Sequence, residues 1–105
     1  MTGFEEREKA EENRFVHEEE LLFKARARRN RLVGEWAAGK MGLSGQAAQA
    51  YAQSLVTLDA TDGKDLKIIE RLKADLAAHS VSEHQIRREL AEQLPLAMDY
   101  IKKKT

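Results

Sequence analysis

Apolar residues recur every three to four positions along most of this chain, and the pattern predicts four helices. Plotted at about 100° per residue, Leu21, Leu22, Ala25, Leu32, Val33 and Trp36 share one face, which places a first helix over roughly 19–41. The stretch "KMGLSG" ends it. Gly42 suits the left-handed position after a helix, and Leu43 is the apolar residue that a Schellman turn often carries next. Ser44 is placed to cap a second helix over 45–58. Its inner face is small (Ala47, Ala48, Tyr51, Ala52, Leu55) and permits close approach to a neighbour. "DATDG" interrupts the pattern, with Thr61 or Asp62 as the next cap, before a third helix to about Ala78 that is apolar at Leu66, Ile69, Leu72 and Leu76. Ser82 and Gln85 form a capping box, and Val81 with Ile86 can close a hydrophobic staple around it. The fourth helix turns Ile86, Leu90, Leu94, Met98 and Ile101 inward. Pro95 removes a backbone donor within it and predicts a kink or break. The closing lysines are expected to fray.

The residues before this pattern differ in kind. From Phe4 to Glu20 there are eight acids and three bases, a balance of −5, and the only large apolar residues are Phe4, Phe15 and Val16. Burial on that scale cannot offset an ordering cost of about 1–2 kcal/mol per residue. Residues 1–18 therefore read as a mostly disordered arm, and 19–105 as an all-α four-helix bundle. If the arm continues the first helix, Phe4, Phe15 and Leu22 fall within about 20° of one another. That thin apolar line suits either folding back over the bundle or docking as a helix into a partner's groove.

At 105 residues the chain makes one domain. Its net charge is zero although 34% of its residues are charged, so a basic surface is not a property of the whole chain and nucleic acid is not the expected partner. The absence of cysteine removes disulfides and thiolate chemistry. The acidic start does not resemble a secretory signal, and no apolar stretch reaches the roughly 20 residues that cross a bilayer, so a cytoplasmic location without membrane insertion is expected.

Candidate chemistry is sparse. The glycines have neither Walker nor dinucleotide spacing. His17, His79 and His84 form no ligand pair, so no metal site is expected, and no nucleophile has a triad context, so no enzyme is expected. The basic block is more informative. Lys24, Arg28 and Arg31 form one stripe beside the apolar face, readable as a solvated flank paired through Glu20–Lys24 and Arg31–Glu35. Arg29 lies within the apolar face itself and needs a partner there. Two remain open: a carboxylate from another helix, such as Asp59 or Asp75, or an anionic ligand such as a nucleotide phosphate, with Trp36 as a flat surface for a base.

The stretches "GFEEREKAEENRF", "HEEELLFKARARRNRLVGEWAAGKMGL" and "AYAQSLV" resemble the zeta subunit of alpha-proteobacterial F-type ATP synthases, a family of ATPase inhibitor proteins. The likeness spans essentially the whole chain and is strongest over 3–56. It implies a four-helix bundle with an inhibitory arm that becomes helical as it enters the interface of the alpha and beta subunits near the gamma rotor, blocking hydrolysis. Carried over by position, that arm contains Phe4, Glu5, Arg7, Glu8, Phe15 and His17. The resemblance further implies ADP or ATP as a regulatory ligand rather than a required cofactor. Lys24, Arg28, Arg29 and Trp36 are the physical candidates for holding it. The protein is then expected to be monomeric when free and peripheral to the inner membrane through the ATP synthase. The connection "LDATDGKD" and Pro95 depart from the family pattern, both in its less similar half. From a different class, the alternatives are a small helical module binding nucleotide or RNA through the basic stripe, and a self-associating bundle.

Overall fold

A computed structural model describes the backbone of residues 3–58 and 65–104, and the side chains of 18–58 and 65–104. Within these the chain is all-α, in four helices: α1 (Gly3–Lys40), α2 (Gly45–Val56), α3 (Leu66–Leu76) and α4 (Glu83–Lys104), with a 3₁₀ turn at Ala77–His79 between the last two. The expected arm is continuous with α1 along the backbone from Gly3. The side chains of Phe4, Glu5, Arg7, Glu8, Phe15 and His17 lie outside the described residues, as do the expected caps Thr61 and Asp62.

The helix ends form largely as their residue types dictate. Gly42 takes φ +77°, the Leu43 amide donates to Ala38 O at 2.9 Å and the Gly42 amide to Gly39 O at 3.1 Å, which is the Schellman pattern. Ser44 has the extended backbone of a cap, but its side chain makes no capping bond. At α4 the box closes in both directions: the Ser82 amide donates to Gln85 Oε1 at 2.8 Å, and the Gln85 amide to Ser82 Oγ at 3.1 Å. α4 runs unbroken through Pro95 and on to Lys104, against the expected break and the expected fraying. Both Pro95 and Ala91, whose carbonyl loses its donor, are exposed, so water can satisfy that group.

α1 packs against both α2 and α4, and α3 lies mainly on α4. The core joins Val33 and Ala37 of α1, Leu55 of α2, Ile69, Leu72 and Leu76 of α3, and Ile86 and Leu90 of α4. The expected inward faces hold with local rotations. Leu66 is exposed and Ile68 takes its place inside; Ala47 and Leu22 also face solvent.

The small face of α2 does bring it close. A β-carbon on Gly34 would lie 2.7 Å from Ala52 Cα, a backbone atom that cannot rotate away. Gly34→Ala is expected to destabilise the fold by about 1–3 kcal/mol in chemical denaturation. Alanine is the better helix former at an open site by roughly 1 kcal/mol, so a stabilised variant would show that the two helices are not this close.

Candidate functional site

Arg29 sits on the inward face of α1 and is 3% exposed. The helix period puts it there, between Ala25 and Val33, and a buried guanidinium must find acceptors. Its partner is Asp65, the residue immediately before α3, and not Asp75; Asp59 lies outside the described residues. Arg29 Nη2 donates to Asp65 Oδ1 at 2.7 Å and Nη1 to Oδ2 at 3.1 Å, a two-pronged pairing. Nε and Nη2 also donate to Asn30 Oδ1, at 3.1 and 2.9 Å. The Asn30 amide reaches Leu55 O at 3.4 Å. One buried arginine therefore ties α1 to the start of α3, and its neighbour ties α1 to the end of α2. Asp65 adopts φ +59°, a left-handed conformation that aims its carboxylate at Arg29 instead of capping α3.

Asp75 serves another contact. It accepts from Tyr51 Oη at 2.7 Å and from Arg71 Nε at 2.6 Å, joining α2 to α3. Burial, and after it the bond to Asp75, push the Tyr51 phenol above its ordinary range, so it stays protonated and donates. Between α3 and α4, Glu83 receives Lys73 at 2.8 Å and Arg87 at 2.9 Å. The Lys73 contact first, then that of Arg87, hold its carboxyl below the usual glutamate range.

An open cleft of about 230 Å³ lies beyond the Arg29 cluster, lined by Arg29, Asp65 and Arg87 with Ile69, Leu90 and Leu94. Of the four candidate nucleotide ligands only Arg29 reaches it. Lys24 is exposed and makes no ion pair among the described residues; the expected Glu20–Lys24 pair does not form, whereas Arg31–Glu35 does at 3.6 Å. Arg28 lays its guanidinium over the Tyr100 ring, 3.4 Å from the centroid, and its Nε is shielded from solvent without a hydrogen-bond partner among the described residues. Trp36 packs against the edge of the core, with Lys40 Nζ 5.9 Å from its ring. The structure thus brings Lys24 and Arg28 together on one stripe, buries Arg29 in a separate cluster and leaves Trp36 with the hydrophobic core.

Sequence reasoning missed Asp65, Asn30 and Tyr100. Only Asp65 left a signal: it is the polar residue immediately before an apolar-periodic helix. Among the described residues no group of three histidines, cysteines or carboxylates is placed to hold a metal ion.

These features define a small helical module whose buried polar groups hold helices to one another and whose cations Lys24, Arg28 and Arg31 line one flank of α1. The chain belongs to the ATPase inhibitor subunit zeta family, whose model matches residues 1–99. No curated protein matches it. Membership assigns the chain an ATPase inhibitor role, a regulatory one, and the match includes the whole arm as well as the bundle as far as residue 99. Among the described residues no helix is long and apolar enough to cross a membrane.

Proposed function

We propose that this protein inhibits ATP hydrolysis by the F-type ATP synthase, with residues 1–18 inserting as a helix into the interface of the alpha and beta subunits near the gamma rotor. The observation that carries this reading is the continuity of α1 from Gly3 to Lys40. Residues 3–18 are sixteen helical residues, a rod of roughly 24 Å, mounted directly on the bundle with no hinge turn between. A single helix can pass between two subunits, whereas a four-helix bundle is too wide to follow it. The bundle then acts as a stop, and the arm as a wedge that resists closure of the interface. The protein acts at the cytoplasmic face, held near the membrane by the synthase alone.

The test is ATP hydrolysis by the detached catalytic sector of the cognate synthase, with the full chain and with residues 19–105. The core lies wholly within the shorter chain. Inhibition by the full chain and none by the truncated one is the expected result. Undiminished hydrolysis with both overturns the reading, and equal inhibition by both transfers it from arm to bundle.

ADP or ATP is the regulatory ligand in this proposal, bound to the bundle. Of Lys24, Arg28, Arg29 and Trp36, the first two have donors to offer: Lys24 is unpaired among the described residues and Arg28 Nε has no partner among them. Arg29 would first have to leave Asp65. Shifts of the amide resonances around Lys24 and Arg28 on titration with ADP support that placement, and shifts confined to the Arg29–Arg87 cleft replace it.

A further inference from the structure

Phe23 is 77% exposed, and its neighbour Leu22 is 36% exposed. At this level of α1 the bundle is met by Leu21 and Ala25, which are 8% and 0% exposed. Phe23 stands two residues from each, about 200° around the helix, and so faces directly away from the bundle. Among the described residues no other helix covers it. An aromatic side chain held outward in water gives the isolated bundle nothing.

The register along α1 says what the doublet belongs to. Phe15 and Val16 form an apolar doublet near the end of the arm, and Leu22 and Phe23 repeat it seven residues later. Seven residues are two helical turns less about 20°. α1 is continuous across this interval, so the two doublets occupy matching positions on one rod. The arm's apolar strip therefore runs past residue 18 onto the outer face of the bundle. Glu19 and Glu20 lie on its arm side and Lys24 and Arg26 on its bundle side, a charged margin around an apolar centre.

We propose that the surface docking to the inhibited ATPase extends to Phe23, and that Leu22 and Phe23 anchor in an apolar pocket at the mouth of the site that takes the arm. This rests on the function proposed above. An aromatic residue with a charged margin fits the role of an energetically dominant contact. The bundle then abuts the ATPase through α1, with α1 seated against it one turn beyond the arm.

The test is the full-length chain carrying Phe23→Ser, assayed for inhibition of ATP hydrolysis beside the wild type. Leu96→Ser is the control, since Leu96 is 59% exposed on α4 and lies off the strip. The concentration for half-maximal inhibition is expected to rise at least about tenfold for Phe23→Ser, as for loss of a central anchor, and to stay unchanged for Leu96→Ser. Thermal midpoints of all three chains are expected to agree, because neither residue is buried. Phe23→Leu, which keeps an apolar side chain, is expected to retain most of the inhibition, and its loss there would show that the contact is not hydrophobic anchoring. Inhibition by Phe23→Ser at wild-type concentration overturns the anchor and leaves the arm reading standing. A wild-type chain that fails to inhibit defeats both.

Discussion

Asp65→Ala is expected to cost about 3–5 kcal/mol of folding stability, because it leaves the Arg29 guanidinium buried without its counter-charge. Among the described residues Arg29 keeps only Asn30 Oδ1 as an acceptor in that variant. A domain of this size has about 5–15 kcal/mol in total, so the variant should stand near its unfolding threshold at 25 °C. Two comparisons separate the contributions. Asp65→Gly removes the same carboxylate but suits the left-handed backbone at φ +59°, so it should be less damaging than alanine by roughly 1 kcal/mol. The pair Arg29→Met with Asp65→Gly removes both charges, and apolar replacement of a buried ion pair is often neutral or better. Its stability should recover part of the way to wild type, since Asn30 Oδ1 then loses both of its Arg29 donors. Urea denaturation with an unchanged slope checks all three. A small loss in Asp65→Ala would mean that water reaches Arg29 through the adjoining cleft.

Leu55→Ala is the second large effect, expected at about 2–5 kcal/mol. Leu55 is fully buried and is the one large side chain that α2 commits completely to the core; its other fully buried residue is Ala52. A 12-residue helix is marginal alone in water, so α2 depends on this anchor more than the longer α1 and α4 depend on any single residue. The loss should be local before it is global. Hydrogen exchange is expected to show amides of 45–56 losing protection ahead of those in α1 and α4, with Tyr51 released from Asp75 in the same opening. Uniform loss of protection across the chain would show instead that the bundle opens as one unit.

What the sequence made legible were features with a local cause. The Gly42 turn and the Ser82–Gln85 box depend on residues within one helical turn, and both form as their types require. The small inner face of α2 announced its close approach to α1, which Gly34 and Ala52 realise. The buried position of Arg29 followed from helix phase alone. Its partner did not, because the pairing spans 36 residues and depends on where the connection before α3 delivers its last residue. Asp65 reaches Arg29 only through a left-handed backbone that an aspartate tolerates without requiring. Leu66 was misread as inward because it keeps the three-residue rhythm with Ile69, yet at the first turn of a helix the phase is set by how the chain arrives there. Pro95 was weighted as a breaker by its intrinsic chemistry, whereas its exposed position leaves the orphaned carbonyl to solvent. The basic stripe was visible as charges; the Tyr100 ring beneath Arg28 was not, since that contact depends on how α4 lies along α1.

The unbroken course of α1 makes chain length itself a determinant of which way the arm faces. With no turn between Glu18 and Leu21 to absorb a change, inserting one residue there would rotate everything before it by about 100° and push it out by about 1.5 Å. The bundle would fold as before, and each side chain of the arm would keep its chemistry while pointing elsewhere. An insertion of seven would displace the arm by two turns but turn it by only about 20°. Between arm and bundle, then, substitutions can be numerous, while the number of residues is held to steps that return the helix to its starting angle.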